Sequence, residues 1–281
     1  MRRQRCMGVF ALVLGIALAG AMSDARSQIV DMGKYPDIAG RWKRSEVYQW
    51  SRGEKPPLTP EYQAVLESNI ADRAKGGQGY DTMYRCMSPG MPRQMHVYAP
   101  MEIVITPKTT YILIDHIHDD RRIYTDGRDW PEEKEDLEPV YSGHSIGRWV
   151  DQDGNGKFNA LEVETRFIKG PHTLDGLLPT HKNDQTIVKE RIYLDKTNPD
   201  ILHDEITLID DAYTRPWTII KNYPRDKTPG PIWWAEEVCA ENNVHVTVGK
   251  EDYFVSFDGF LMPIKKDQPP PDLRYFKRIE K

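Results

Sequence analysis

Two carboxylates stand on otherwise apolar faces of the chain, a pattern that points to acid–base chemistry. In residues 186–194 one face of an extended segment carries Thr186, Val188, Glu190, Ile192 and Leu194, and in 202–208 one face carries Leu202, Asp204, Ile206 and Leu208. A turn at 195–200 that sets Ile192 opposite Asp204 and Glu190 opposite Ile206 makes the two acids diagonal neighbours, roughly 7 Å apart. Two acids in an apolar lining cannot both ionise cheaply, so one tends to hold a proton near neutrality and gives a general acid beside a base. Salt bridges to Arg or Lys on adjoining strands, or burial of the opposite face, are the structural alternative. His116 continues the apolar face of Ile112 and Ile114, His144 shares a face with Ile146 and Arg148, and His172 follows Pro171. With Arg122, Tyr124, Asp126 and Arg128 they supply polar groups for one cavity in a barrel mouth. In that reading Glu190, Asp204, His144 and His116 are the acid–base candidates and Tyr124 donates a hydrogen bond. Arg122 or Arg148 holds an oxyanion, and His172 and Trp217 complete the substrate site.

The second constellation is a cation loop. Residues 151–162 fit D-x-[DN]-x-[DN]-G-x5-E at every specified position. Asp151, Asp153, Asn155, the Lys157 carbonyl and a bidentate Glu162 offer the oxygens that calcium requires, and Gly156 makes the sharp turn. The flanks, 144–150 and 161–167, are rich in β-branched and aromatic residues, so the loop is expected at the tip of a β-hairpin rather than between helices. Any calcium there would be structural, and a plain polar turn is the alternative. His116-x-His118 beside Asp119 is a faint metal signal, and no His-Glu-x-x-His zinc motif occurs. The chain also has no Gly-rich phosphate loop, nucleophile elbow or cysteine nucleophile. That argues against nucleotide enzymes, common serine hydrolases and thiol enzymes, and no organic cofactor is expected.

The compartment follows from the first residues. Arg2, Arg3 and Arg5, an apolar run from Gly8 to Ala21 and small residues at Ala19, Ala21, Ala25 and Ser27 describe a secretory signal over 1–27. The expectation is a periplasmic or secreted protein with no stable membrane anchor, because no later stretch approaches the roughly 20 apolar residues of a span. Loss of four basic residues and Asp24 with the signal takes the formal charge from -5 to -8, leaving 34 Lys and Arg against 42 Asp and Glu. A polyanion binder needs a dense basic face, so nucleic acid is not expected as a partner. Cys6 leaves with the signal, and Cys86 and Cys239 remain as an expected disulfide in an oxidising compartment.

These residues need elements to position them. A helix is expected over about 59–75, with Thr59 as N-cap, Pro60 in the first turn and an apolar stripe of Tyr62, Val65, Leu66 and Ile70. After it the pattern is strand, turn, strand at 101–106, 109–117, 121–126, 144–150, 160–168, 185–195, 201–209, 216–222, 232–239 and 244–257. The fold expected is mainly β, an antiparallel meander closing into a lipocalin-like barrel or sandwich with one N-terminal helix. One β-rich domain spans 28–264, long irregular connections fill 127–143 and 169–184, and a Pro-rich charged tail covers 265–281.

Gly40-Arg41-Trp42 resembles the Gly-x-Trp that opens the first strand of lipocalin-like barrels. Over about residues 36–245 the chain is similar to a group of secreted bacterial proteins. The shared motifs are Pro-Leu-Thr-Pro-Glu-Tyr (57–62), Arg-Cys-Met-Ser-Pro-Gly-Met-Pro-Arg (85–93), Arg-Ile-Tyr-Thr-Asp-Gly-Arg (122–128), Gly-His-Ser-Ile-Gly-Arg-Trp (143–149), Arg-Pro-Trp-Thr (215–218) and Val-Cys-Ala-Glu-Asn-Asn (238–243). The resemblance implies an exported β-rich fold and carries over no activity. The chain departs from it at the calcium-like loop, where the others have a short Gly-Asp turn. Two functions stay open: a lyase, isomerase or hydratase acting on a small apolar or aromatic substrate, and a lipocalin-like carrier of a small hydrophobic ligand.

Overall fold

A computed structural model describes residues 31–43, 50, 54–97, 100–115, 120–132, 137–230, 238–239, 244–256, 258–272 and 274. The expected signal segment, His116 and most of the expected strand at 232–239 lie outside the described residues. Among the described residues no helix is long and apolar enough to cross a membrane.

The protein is mainly β. Nine strands form one sheet in chain order: β1 (Gly40–Trp42), β2 (Met101–Ile105), β3 (Thr109–Ile114), β4 (Arg121–Tyr124), β5 (His144–Val150), β6 (Ala160–Arg166), β7 (Ile187–Leu194), β8 (Ile201–Ile209) and β9 (Trp217–Pro224). Lys43 N–H donates to the Pro224 carbonyl at 2.7 Å and Asp226 N–H to the Arg41 carbonyl at 2.9 Å, so the two edge strands meet and the sheet is nearly closed like a barrel. The Arg225 guanidinium lies 4.3 Å over the Trp42 ring at this seam. The expected meander is antiparallel at every step but one. β4 and β5 pair in parallel, Ile123 with Ser145 and Tyr124 with Ile146, because the long 125–143 connection carries the chain back to the start of its neighbour.

Period-two alternation sets the two faces. Residues 188, 190 and 192 of β7, 202, 204, 206 and 208 of β8, and 217, 219, 221 and 223 of β9 are buried, and their neighbours are more exposed. Trp42, Trp217, Met91, Met95 and Tyr223 fill the enclosed space with the aliphatic residues of the other strands. Gly147 points inward on β5, where a Cβ would stand 2.6 Å from Ile123 Cγ2, so the glycine admits close packing of β4.

Helix α1 (Pro60–Ala74) begins as expected, with Tyr62 N–H donating to the Thr59 hydroxyl. Its buried residues are Tyr62 and Asn69, whereas Ile70 is 49% exposed. Successive steps of three and four from Tyr62 lead through Val65 and Leu66 to Asn69, and Ile70 is a further 100° round the helix. A short helix α2 (Arg93–Val97) lies against the inner face, where the inward-pointing Tyr223 hydroxyl donates to the Met95 carbonyl. The 169–184 connection is irregular as expected, yet it packs as core, with Thr173, Leu174 and Thr180 buried. The expected long strand at 244–257 is instead a hairpin, β10 (His245–Val248) and β11 (Glu251–Val255), which β12 (Leu261–Pro263) completes as a separate three-stranded sheet. Gly249 at the turn has φ +68, a conformation favouring glycine. The start of the expected tail is held to this sheet, since Gln268 accepts from the Ile264 and Lys265 amides and Tyr253 donates to the Pro269 carbonyl.

Candidate functional site

The hairpin of β7 and β8 has the register that brings the two acids together: Glu190 pairs with Ile206 and Ile192 with Asp204. Both carboxylates point inward. Glu190 is 4% exposed and Asp204 is wholly enclosed. Arg121, inward on β4, donates to Glu190 through both terminal nitrogens, one at 2.7 Å, and extends one of them to the Thr165 hydroxyl at 3.1 Å. Lys221 on β9 is the cross-strand partner of Asp204 and is 1% exposed. Tyr223, two residues further along the same face, feels the charges of Asp204, Glu190 and Arg121.

Electrostatics separates the members of this cluster. Burial, then the neighbouring Glu190, pushes the Asp204 carboxyl well above the usual carboxylate range, so it is the protonated member and can donate to Glu190. Burial lowers the Lys221 amine to about 8, against the pull of Asp175 and Asp204. A second buried acid shows what a satisfied network looks like. Asp81 accepts from Arg93 at 2.6 and 3.2 Å, from Arg73 at 3.0 Å and from the Met83 amide at 3.0 Å. Asp204, by contrast, receives no donor at either oxygen among the described residues.

The other expected site residues do not join this cluster. Arg122 and Tyr124 share the outer face of β4, because the inward residues are Arg121 and Ile123. Tyr124 lies under Arg128 at 3.8 Å, and Arg128 is bound to Asp126 at 2.7 Å. His144 is on the outer face of β5, its Nε2 3.0 Å from the Glu138 carbonyl. His172 is buried, but its Nε2 meets the Met91 carbonyl at 2.8 Å and its Nδ1 the Thr180 hydroxyl at 3.1 Å. Burial lowers its pKa, so it is a neutral packing residue of the 169–184 connection. Trp217 is core, 5.8 Å from Tyr213 between ring centroids.

Arg148 is also outside, 79% exposed in its side chain and bound to Glu162 at 2.7 and 2.9 Å. Arg148, Glu162, Arg191 and Glu205 form one cross-strand row of alternating charge on β5 to β8. A groove of about 610 Å³ crosses this outer face, walled on one side by Arg128 and Trp130. Its charges already face opposite charges, which is how a solvated sheet face is ordinarily stabilised.

At the expected calcium loop the β5–β6 hairpin tip is present. Asp151 accepts from the Asn155 and Gly156 amides at 3.2 and 2.7 Å, Asn155 accepts from the Lys157 amide at 2.9 Å, and Asp153 accepts from Asn159 at 3.0 Å. Glu162 is part of β6, beside Arg148, and does not close over the loop. Among the described residues no group of three His, Cys, Asp or Glu side chains is arranged to hold a metal ion. The expected disulfide is present, joining Cys86 to Cys239 with Cα atoms 5.4 Å apart.

No family model, characterised protein or solved structure matches the chain. Any functional reading therefore rests on the site itself. The residues that sequence reasoning passed over are Arg121, Lys221 and Tyr223. The signal for each was the alternation already used for the acids: Arg121 is in step with Ile123, and Lys221 with Trp217, Ile219 and Tyr223.

Proposed function

We propose that the protein is an exported enzyme that moves protons on a small apolar or aromatic molecule without a cofactor, a lyase, isomerase or hydratase in type. The observation that supports this is Asp204, wholly enclosed, without a donor and shifted toward its protonated form beside the Arg121-bound Glu190. Buried carboxyls in purely structural networks are normally supplied with donors, as Asp81 is. Titratable groups whose surroundings push their proton affinities apart are the pairs from which acid and base are drawn at catalytic sites. In this reading Asp204 gives a proton to one substrate atom, and Lys221, lowered to about 8, takes one from another. Arg121 fixes Glu190 through both terminal nitrogens.

The alternative is a plain structural interior: the enclosed space is filled by large side chains, Trp42, Trp217, Met91 and Met95 among them, which leaves little room for a carrier's ligand. In that case the acids only hold the core together. Incubation of the mature protein in deuterated water with a panel of small carbonyl and aromatic compounds, followed by proton NMR, separates the two. The enzyme reading expects solvent deuterium to enter a substrate position, with the rate falling at least a hundredfold in Asp204→Asn while its circular dichroism stays native. No exchange with any compound, or exchange unaffected by Asp204→Asn, would overturn it.

A further inference from the structure

Away from the enclosed acids, a pocket of about 560 Å³ opens between the C-terminal half of α1, the 78–85 segment and the three-stranded sheet. That volume is within the roughly 300 to 1,000 Å³ typical of small-molecule sites, and such sites favour junctions between substructures. Its polar walls are built rather than incidental. Asn69 and Gln78 are 2% and 6% exposed, Asn69 donating to the Leu177 carbonyl at 2.9 Å and Gln78 Nε2 meeting His245 Nδ1 at 2.9 Å. Asp72 is bound to Lys265 at 2.8 Å and to the Gly79 amide at 2.8 Å. Asp252 is bound to Arg85 at 2.8 Å and to Thr247 at 2.5 Å. Tyr80 lines the same pocket with 57% of its surface exposed, the most exposed aromatic ring of the lining.

We infer that this pocket binds an uncharged, hydroxyl-rich ligand of the saccharide class. Among the lining charges Asp72 is paired with Lys265 and Asp252 with Arg85, and Asp81 is taken up by Arg93 and Arg73 behind the wall, so Lys250 is the lining charge without an ion pair among the described residues. A cation would have to compete with an ion pair already made, an anion finds only the exposed Lys250 unpaired, and an apolar ligand would strip water from the pairs without replacing its hydrogen bonds. A hydroxyl both donates and accepts, so a polyol can bridge the acid and the base of one pair without separating them. Carboxylate, amide and guanidinium groups held in place by their own partners lose little freedom when such a ligand arrives. The exposed face of Tyr80 offers an apolar platform to the C–H side of a sugar ring. The pocket shares no lining residue with the Asp204 cluster, so this binding does not depend on the enzyme reading.

Saturation-transfer NMR on the full mature protein tests this with three panels: neutral mono- and disaccharides, small carboxylates and amines, and apolar aromatics. The expected result is transfer to a saccharide, weakened at least tenfold in Tyr80→Ala, an exposed substitution that leaves the fold intact, and unchanged in Asp204→Asn. Transfer only to the charged or the apolar panel would overturn the ligand class. Saccharide binding that Tyr80→Ala leaves unchanged would overturn the place, and no transfer to any saccharide would overturn the inference as a whole.

Discussion

Replacing Lys221 by methionine measures how much of the inner cluster is held against its own preference. The amine is 1% exposed, and burial lowers it from 10.5 to about 8. Each factor of ten in proton affinity is about 1.4 kcal/mol, so the folded chain holds the charged amine about 3 kcal/mol less favourably than the unfolded chain does. The sign follows from proton counts. Between pH 8 and 10.5 the unfolded chain binds the proton and the folded chain does not, so stability due to this residue rises with pH across that window. Below pH 8 the amine is charged in both states and the whole penalty is present. Methionine has nearly the same length and no charge, so Lys221→Met is expected to raise stability by about 2 to 3 kcal/mol at pH 7. By pH 10.5 the gain should shrink to less than about 1 kcal/mol. Urea unfolding of both proteins, disulfide intact, at pH 7 and pH 10.5 reads this difference; titrations remote from Lys221 cancel in the comparison, and Asp175 and Asp204, which attract the amine, are the groups whose own titration the substitution alters. A variant that is less stable than the parent by the same amount at both pH values would refute the argument. It would mean that the amine reaches water or makes an interaction worth more than its burial costs.

The companion substitution has the opposite slope. Asp204 is shifted above its ordinary 3.8, so the folded chain binds the extra proton and stability from this residue falls as pH rises above about 4. The stability of Asp204→Asn relative to the parent should therefore grow from pH 4 to pH 8 in thermal melts, and a constant difference would contradict the protonated assignment. At the β5–β6 tip, Glu162 is committed to Arg148, so calcium is expected to raise the melting temperature only at millimolar concentration and through Asp151, Asp153, Asn155 and the Lys157 carbonyl. A rise at micromolar calcium that Glu162→Gln abolishes would show that the loop closes on the ion after all. Reducing Cys86–Cys239, which are 153 residues apart, should cost about 5 kcal/mol in the chain-entropy model, read as a fall in urea midpoint. An unchanged midpoint would mean that the crosslink constrains little of the unfolded chain. Gly147→Ala is expected to cost about 1 to 3 kcal/mol, because the new Cβ meets Ile123 Cγ2 at 2.6 Å; parent-like stability would mean β4 yields at no cost.

The parts legible in the sequence were those fixed by local pattern. Thr59 and Pro60 start α1, and alternation placed β7 and β8 with the register that joins Glu190 to Asp204. Alternation is also where the reading of the site went astray. At Arg121 and Arg122 two identical side chains stand side by side, and only the phase of the strand decides which is inside. Ile123 is the residue that fixes that phase, and it takes Arg121 inward while sending Arg122 and Tyr124 out. The same rule puts Ser145 inside and His144 outside, so the histidine that looked like a catalytic partner is separated from the acids by the sheet itself. His172 is different, because its place comes from contacts of high sequence separation, to Met91 and across its own loop to Thr180, which no local pattern records. A basic residue paired to Glu190 was foreseen only as the structural alternative to catalysis. The structure contains that pair, yet leaves Asp204, one strand over, without a donor. A salt bridge that satisfied both acids would have closed the question in favour of a plain core. One that satisfies Glu190 alone leaves a buried proton-bearing group between a fixed carboxylate and the strand of Lys221. That asymmetry is the reason to test this barrel-like interior for chemistry.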